Sequence, residues 1–319
     1  MIAPTSAPTG FSLVQAAAAA AAHQNFPPAT LYMVATPIGN LADFSLRAIH
    51  VLALVDAIAC EDTRVSAGLL RHLGVDKPLL ALHEHNESSA APRVLERLGR
   101  GERVAYVSDA GTPAISDPGA ALCAQAQAAG FRVMPLPGAS SGVTLLSAAG
   151  DAHAATQGLG FSFVGFLPAK GASRQAQLEA ALQRSGSVLL LEAPHRIEDL
   201  AQRLADTAPQ RRVTLGRELT KQFEQIHTLL AVDLPAWLGA DAQRLKGEFT
   251  QAIHAEAPPD VADAPPAVPD TALHVLRVLL AELPLKQAVS LATQITGVAR
   301  NPLYQAALQL REAPEAPAP

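Results

Sequence analysis

The sequence predicts an α/β protein made of two α/β domains and a small helical appendix at the C-terminus. From residue 31, apolar runs of strand type alternate with stretches whose apolar residues recur at helical spacing. This alternation is typical of a mostly parallel sheet that is covered by helices on both faces. Beyond residue 211, strand-like runs follow one another without intervening helices, which favours a mixed or antiparallel second sheet. A proline-rich acidic stretch then separates the last helices from the rest.

The first domain is predicted to cover residues 31–150. Apolar runs place its strands at residues 31–36, 56–60, 78–82, 104–107 and 133–136. Helical spacing of apolar residues places its helices at residues 45–55, 63–73, 88–98, 119–129 and 140–149. A turn-rich stretch at residues 150–160 marks the boundary with the second domain.

The second domain is predicted to cover residues 151–255. Its strands are expected at residues 161–166, 187–191, 212–215, 226–232 and 248–254, and its helices at residues 173–184 and 196–204. Residues 256–270 contain five prolines and four acidic residues, a composition that cannot bury a core and predicts a linker. The appendix, residues 271–311, is predicted as helices at 271–283 and 285–295 and a third from Asn301 to Leu310.

Residues 1–30 are predicted to be a disordered tail. The alanine run from Ala16 to Ala22 has no Lys or Arg before it and lacks the branched apolar core of a signal peptide. A floppy or partly helical segment is therefore favoured over a targeting device.

Composition excludes several classes of protein. The 24 Lys and Arg residues against 29 Asp and Glu give a net charge of −5, which argues against holding nucleic acid by bulk electrostatics alone. Cys60 and Cys123 are too few for a disulfide framework and lack the clustered spacing of a zinc site, so a cytoplasmic location is expected. Mean hydropathy is +0.17, yet no charge-free apolar run is long enough to cross a membrane. Any contact with RNA must come from local basic clusters.

Three loops at predicted strand ends carry the strongest signal for a ligand site. Residues 36–43, 108–119 and 135–141 are punctuated by Gly and Pro and supply Ser, Thr and Asp side chains. In α/β sheets, ligands bind at the carboxyl ends of strands, where these loops fall. The chain has no G-x-G-x-x-G fingerprint, no Walker A loop and no G-x-S-x-G elbow, so NAD, ATP and hydrolase chemistry lose support.

Charged clusters also follow predicted strands. The segment from Glu61 to Arg64 predicts either a helix N-cap or a charged cluster that faces a polar substrate. In the second case, the Arg64 guanidinium is able to donate two hydrogen bonds to a phosphate. The segment from His83 to Glu87 is dense in polar groups, but alternating histidines without a third ligand predict no metal site. Substrate hydrogen bonding or a solvated loop remain its alternatives. Residues 192–196 and 217–221 are further polar clusters that follow predicted strands, here in the second domain.

Taken together, these motifs resemble one family. The segments at residues 31–41, 61–64, 107–119, 135–138, 192–196 and 217–221 are similar, in this order, to the ribosomal RNA small subunit methyltransferase I group of the tetrapyrrole methylase superfamily. The resemblance runs from about residue 31 to residue 311 and includes the appendix around residues 281–286.

The resemblance implies two α/β domains of tetrapyrrole-methylase type with the cofactor S-adenosylmethionine in the cleft between them. It implies 2′-O-methylation of a cytidine ribose in 16S rRNA, at the decoding centre of the small ribosomal subunit, usually by a homodimer. The cofactor residues that it implies are Pro37, Asp109, Ala110, Gly111, Thr112, Ile115, Ser140, Ser141, Leu191, Leu219, Gly247, Glu248 and Phe249.

The implied chemistry requires no metal and no covalent intermediate, because much of the rate can come from positioning. A ribose hydroxyl is a weak nucleophile that must lose its proton, so Glu61, His83 and Asp109 are candidate catalytic residues. Arg64, Asn86, Lys170, His195, Arg196 and the helical appendix are predicted to hold the rRNA; in the appendix, Lys286, Arg300 and Arg311 supply positive charge. A precorrin-type tetrapyrrole methylase and a non-catalytic RNA- or cofactor-binding protein remain alternatives.

Overall fold

A computed structural model describes residues 12–83, 86–256 and 268–312. The chain forms two compact units, residues 1–256 and residues 257–319, and each is described by itself. None of the helices in the described ranges is both long and apolar enough to cross a bilayer.

The first sheet is parallel throughout and has the order β3-β2-β4-β1-β5. Its strands are β1 (Thr30–Val34), β2 (Ala57–Cys60), β3 (Leu79–Ala81), β4 (Val104–Val107) and β5 (Arg132–Leu136). β1, β2 and β4 are buried along their whole length, since helices cover both faces of the sheet.

Six helices belong to this part of the chain: α1 (Leu13–Ala21), α2 (Leu46–Leu54), α3 (Thr63–Leu73), α4 (Glu87–Gly99), α5 (Ala120–Ala128) and α6 (Ser141–Ala149). One face of the sheet packs on α1, α2 and α3 through Tyr32, Val34 and Ile58. The other face packs on α4 and α5 through Leu31 and Tyr106.

The order of the strands locates the ligand crevice. β1 and β4 are neighbours, but the chain leaves β1 toward β2 on one side and leaves β4 toward β5 on the other. Loops that depart in opposite directions leave a crevice at the carboxyl ends of the two strands. The loops after β1 and β4 therefore flank the expected binding position.

The predicted disordered tail is wrong for residues 12–30. Ser12 and Gln15 form a capping box at the start of α1, and Ala17 and Ala21 are buried against α2. Alanine has the highest helix propensity, and its small side chain permits close packing between helices. The Tyr32 hydroxyl donates to the Pro27 carbonyl at 2.8 Å, which ties the segment after α1 to the sheet. Residues 1–11 lie outside the described residues.

The second sheet is mixed, as the sequence predicts, with the order β6-β7-β10-β8-β9. Its strands are β6 (Phe161–Phe166), β7 (Ser187–Glu192), β8 (Arg212–Arg217), β9 (Gln225–Leu230) and β10 (Phe249–Ile253). β6 and β7 pair in parallel, and the other neighbours are antiparallel.

Helices α7 (Ala152–Gln157), α8 (Ala172–Leu182), α9 (Ile197–Thr207) and α10 (Leu234–Gly239) complete this part of the chain. One face of the sheet packs on α8, α9 and α10. The opposite face receives α6, whose Leu145 and Ala149 pack against Leu189, Leu219 and Ala252. This apolar cluster also includes Ile38, so the loop after β1 packs beside α6 and the second sheet.

The second unit contains α11 (Asp270–Glu282), α12 (Leu285–Thr296) and α13 (Arg300–Glu312). Leu276, Val289, Leu303 and Ala307 form its fully buried centre. Gly297, at a φ of 70°, ends α12 in the left-handed conformation. Of the predicted linker, residues 257–267 lie outside the described residues.

Candidate active site in the cleft between the two sheets

Hydrogen bonds join the three loops that the sequence singled out. Thr36 and Gly111 exchange backbone hydrogen bonds of 2.9 and 3.0 Å, which couples the loop after β1 to the loop after β4. The Thr36 hydroxyl donates to the Ser108 carbonyl at 3.2 Å, and the Thr112 hydroxyl donates to the Ala139 carbonyl at 2.9 Å. The loops after β1, β4 and β5 therefore form one continuous floor.

Two glycines are required for this close approach. Gly111 has a φ of 84°, and a Cβ atom there would lie 3.3 Å from Ile38 Cγ2. A Cβ atom on Gly138 would lie 2.7 Å from the Ala35 Cβ, well inside contact distance. Glycine is therefore needed where the second and third loops pass the first.

A pocket lies between this floor and the second sheet. Its first-domain lining consists of Ile38, Ala110, Gly111, Thr112, Ile115, Ser116, Asp117, Ser140 and Ser141. From the second sheet come Phe163, Phe166 and Leu191. The pocket thus combines hydroxyl and carboxyl groups on one side with aromatic and aliphatic side chains on the other.

A β-bulge brings both phenylalanines to the pocket. The pairing of β6 with β7 shifts register between Phe163 and Gly165, and Gly165 has a φ of 72°. Without a bulge, residues three apart on a strand point to opposite faces. A Cβ atom on Gly165 would lie 2.6 Å from the Ser116 hydroxyl oxygen, so the bulge also lets the loop after β4 contact β6.

The loop after β4 contains an unusual turn. Ala114 and Ser116 have φ values of 66° and 64°, which non-glycine residues adopt at a cost. The Ala114 amide donates to the Pro118 carbonyl at 3.2 Å and closes the turn around Ile115, Ser116 and Asp117. The turn presents these three side chains to the pocket.

Negative charge concentrates beside this turn. Burial and the nearby carboxylate of Glu61 raise the pKa of Asp117 from 3.8 to about 6. Asp109 adds to the increase, and a hydrogen bond with the Ser108 hydroxyl opposes it. Burial, with Glu61, Glu87 and Asp117, also raises the pKa of Tyr106, which stays neutral.

The segment from Glu61 to Arg64 caps α3. Asp62 accepts the Arg64 amide at 2.8 Å, which confirms the N-cap interpretation, and the Asp62 amide donates to Asp109 Oδ1 at 3.1 Å. Arg64 Nη2 lies 2.6 Å from the Asp62 carboxylate, and this exposed ion pair lowers the pKa of Asp62 to about 2. The Arg64 side chain is 88% exposed, so its guanidinium faces solvent.

The segment after β3 supports the same edge of the sheet. Asn86 Oδ1 accepts the His83 amide at 2.8 Å. Glu87 Oε1 accepts the amides of Gly119 and Leu122 at 3.1 and 2.9 Å, so α4 caps the start of α5. Glu84 and His85 lie outside the described residues. Among the residues that are described, no three His, Cys, Asp or Glu side chains are grouped so as to hold a metal ion.

Ion pairs order the second-domain side of the cleft. Glu192, which follows the pocket residue Leu191, binds Arg174 and Arg196, each at 2.6 Å. The Arg196 guanidinium also lies 5.8 Å from the centre of the Phe166 ring. The second predicted cluster is linked as well, since Lys221 Nζ binds Glu218 at 2.9 Å and Glu248 at 3.1 Å.

The loop after β8 packs against the loop after β1 at one side of the cleft. A Cβ atom on Gly39 would lie 2.5 Å from Lys221 Cγ and 2.8 Å from the Leu219 carbonyl oxygen. Leu219 itself is buried with Ile38 beside the pocket. Gly247 packs against Glu218.

The structure places the predicted site residues in three groups. Those that line the pocket are Ala110, Gly111, Thr112, Ile115, Ser140, Ser141 and Leu191. Those that hold or flank the loops around it are Pro37, Glu61, Asn86, Asp109, Arg196, Leu219, Gly247 and Glu248. The third group lies outside the lining. His83 is part-buried beside Asn86, whereas Arg64, Lys170 and His195 are exposed. The Phe249 side chain is buried in the core on the helix-covered face of the second sheet.

Five lining residues were not predicted: Ile38, Ser116, Asp117, Phe163 and Phe166. The first three lie inside the predicted loops, so their place in those loops was the available signal. The two phenylalanines depend on the bulge at Gly165, which strand periodicity does not reveal.

Comparisons with known proteins agree with this architecture. Residues 30–234 match the family model "Tetrapyrrole (Corrin/Porphyrin) Methylases", and residues 266–311 match the model "RsmI C-terminal HTH domain". Among solved structures, diphthine synthase has a TM-score of 0.53 at 15% identity, covering 72% of this chain and 90% of that one. Uroporphyrin-III-C-methyltransferase from Thermus thermophilus has a TM-score of 0.51 at 22% identity, covering 71% and 94%. These two likenesses concern the fold.

Curated relatives are closer in sequence. "Ribosomal RNA small subunit methyltransferase I" of Pseudomonas aeruginosa is 47% identical over 281 residues, which cover 88% of this chain and 97% of the relative. The protein of the same name from Escherichia coli O157:H7 is 44% identical over 280 residues, covering 88% and 94%. With both family models matching and the cleft built from the expected loops, the chain belongs to the ribosomal RNA small subunit methyltransferase I family of tetrapyrrole methylases.

Proposed function

We propose that this protein transfers a methyl group from S-adenosylmethionine to the ribose 2′-hydroxyl of a cytidine in 16S rRNA, at the decoding centre of the small ribosomal subunit. The observation that carries the proposal is the pocket where the three loops meet β6 and β7, in a chain of this family. The position at the carboxyl ends of β1 and β4 is where α/β folds bind their ligands.

The residues in the pocket fit this cofactor. Ser140 begins α6 without a side-chain cap, and the first amides of a helix lack intrahelical partners, so they suit a carboxylate. The apolar side chains of Ile38, Phe163 and Leu191 suit an adenine ring and the carbon atoms beside a sulfonium. Backbone groups from Ala110 to Thr112 are brought close by the conformation of Gly111.

When bound, the cofactor supplies an electrophilic methyl group. The residues of this chain then have three tasks: to hold donor and acceptor in line, to exclude water, and to take the hydroxyl proton. We assign the cofactor to the predicted residues that line or flank the pocket, with Phe249 contributing only backbone groups because its side chain is buried. Glu61, His83 and Asp109 are the sequence candidates for handling the proton.

We further propose that the rRNA contacts the exposed side chains of Arg64, Lys170 and His195, and the appendix. Asn86 and Arg196 are only partly exposed and bind protein groups, so their contribution is to hold the loops on which the RNA rests. We also propose that the protein is cytoplasmic and works as a homodimer. Light scattering of the purified protein would test the homodimer.

Transfer of label from S-adenosylmethionine tests the proposal. We expect label in the rRNA of small subunits that lack this modification, and none in a tetrapyrrole offered instead. Label in the macrocycle, or cofactor binding without transfer, would overturn the proposal.

A substitution at Gly111 tests the cofactor pocket. Gly111→Val places a branched side chain at a φ of 84° and against Ile38, so we expect at least a tenfold weaker affinity for S-adenosylmethionine by calorimetry. Gly68→Ala is the matched control, because a Cβ atom there meets nothing within 4 Å. Equal affinities of the Gly111→Val variant and the wild type would place the cofactor elsewhere.

A further inference from the structure

Asp117 is the pocket residue whose chemistry the proposed function leaves unused. It lies in the lining between Ser116 and the start of α5, in the same pocket as Thr112 and Ser140. Sequence spacing alone assigns it to the turn before α5. The structure instead places it in the lining of the pocket proposed for donor and acceptor.

The turn holds this carboxyl group in a fixed place. Ala114 and Ser116, which precede Asp117, have positive φ values, and the hydrogen bond from the Ala114 amide to the Pro118 carbonyl closes the turn that contains Asp117. Two residues after Asp117, the Gly119 amide donates to the Glu87 carboxylate at 3.1 Å. Backbone strain persists only where the surroundings enforce it, and it is concentrated at functional sites.

The surroundings of Asp117 favour proton uptake. Glu61 approaches from the end of β2 and Asp109 from the end of β4, and both carboxylates act on Asp117. Tyr106 of β4 is neutral, Glu87 of α4 is engaged with the amides of α5, and the Ser108 hydroxyl hydrogen-bonds Asp117. Burial and like charge together raise the pKa of Asp117 to about 6, a value suited to a base that is ionised at neutral pH yet accepts a proton.

The sequence candidate Asp109 is placed differently. Its Oδ1 atom accepts the backbone amide of Asp62 at 3.1 Å, so this carboxylate is committed to joining the loop after β4 to the start of α3. Asp117 is the carboxylate that the pocket lining itself contains.

We infer that Asp117, a carboxylate in the lining of the pocket, is the proton acceptor for methyl transfer. The 2′-oxygen forms its bond to the methyl carbon as the carbon–sulfur bond breaks, with the electron pair left on sulfur. The hydroxyl proton moves to the carboxylate of Asp117, which then releases it to solvent. This inference rests on the proposed function, since it names the base for that reaction.

Kinetics of Asp117→Asn test the inference. Because a neutral amide cannot accept the proton, we expect kcat to fall about a hundredfold or more, while the calorimetric Kd for S-adenosylmethionine stays within about threefold of wild type. The wild-type kcat/KM should fall as pH drops below about 6, since Asp117 becomes protonated there. Asp206→Asn, an exposed change on α9, is the control and should keep wild-type rates.

A readout without turnover completes the test. In protein labelled with carbon-13 at the aspartate carboxyl, one NMR signal should titrate near pH 6, be absent from Asp117→Asn, and titrate at lower pH in Glu61→Gln. The unfolding temperature of Asp117→Asn should not fall, because burying the carboxylate opposes folding.

Distinct results would overturn the inference. A kcat of Asp117→Asn within threefold of wild type, or no aspartate signal that titrates above pH 5, excludes Asp117 as the base. A tenfold loss of cofactor affinity would make it a cofactor ligand instead. If wild-type protein transfers no methyl group to small subunits, the proposed function fails as well, whereas transfer that Asp117→Asn retains overturns this inference alone.

Discussion

A buried ion pair joins Arg174 of α8 to Glu192 at the end of β7, and both side chains are fully buried. Arg174 donates to Glu192 at 2.6 Å, to Asp199 at 2.8 Å and to the Pro168 carbonyl at 3.0 Å. Burying an ion is costly unless its partners remain, so this network stabilises the protein only when complete. It also fixes the end of β7, where Leu191 faces the pocket.

Removing one partner should therefore be severe. Arg174→Met keeps most of the side-chain volume but leaves Glu192 with Arg196 as its remaining cation, so we expect a loss of about 3 kcal/mol in the free energy of unfolding. Urea denaturation measures this. The control Arg203→Met breaks an ion pair with the half-exposed Asp199 and should cost less than about 1 kcal/mol. Equal effects of the two variants would show that burial of the pair is unimportant.

At the scale of elements, the strands were predicted well because they are runs of apolar residues, and β1, β2, β4 and β10 are buried along their whole length. β4 and β6 begin and end where the apolar runs do. The helices α7 and α10 have six residues each, too few turns to produce a periodic pattern. α1 was expected as a disordered or partly helical tail, because a run of alanines has high helix propensity but no amphipathic face.

Of the candidate site, only the loops that form its floor could be predicted from the sequence. Gly, Pro and hydroxyl residues after β1, β4 and β5 marked the floor of the pocket, and its lining includes the predicted Gly111, Thr112 and Ser140. The bulge at Gly165 and the contact of Gly39 with the loop after β8 depend on tertiary packing, which local patterns do not encode.

That contact supports a prediction for the loop after β1. Gly39→Ala adds a methyl group 2.8 Å from the Leu219 carbonyl oxygen, which is backbone and cannot turn aside. We expect a loss of about 1–3 kcal/mol in stability together with weaker cofactor binding, because the two loops must separate. Thermal unfolding and calorimetry measure both. An unchanged unfolding temperature would show that the two loops can separate without cost.

At the scale of the whole molecule, charge limits how RNA can bind. The net charge of −5 gives no general attraction for phosphate, so binding must use local cations. In the second unit Arg277, Lys286 and Arg300 are exposed, and α12 and α13 are joined by a short turn at Gly297. This arrangement fits the match to a helix-turn-helix model, and it is consistent with our proposal that the unit binds rRNA.

Charge reversal in this unit should separate RNA binding from cofactor binding. For Lys286→Glu combined with Arg300→Glu, we expect about tenfold weaker binding to small subunits and an unchanged affinity for S-adenosylmethionine. Filter binding at fixed salt measures the first and calorimetry the second. Arg132→Glu with Arg184→Glu changes the net charge equally, but at exposed residues at the start of β5 and just before β7, at the strand ends away from the pocket. Equal losses in the two double variants would mean that only net charge matters.

Locating the transferred methyl group tests the proposed reaction most directly. Small subunits lacking the modification are incubated with the protein and S-adenosylmethionine, and nuclease fragments of their 16S rRNA are analysed by mass spectrometry. We expect one added methyl group on the ribose 2′-oxygen of a decoding-centre cytidine, absent when Asp117→Asn replaces the wild type. A methyl group on a base, on another nucleotide class, or on no RNA at all would contradict it.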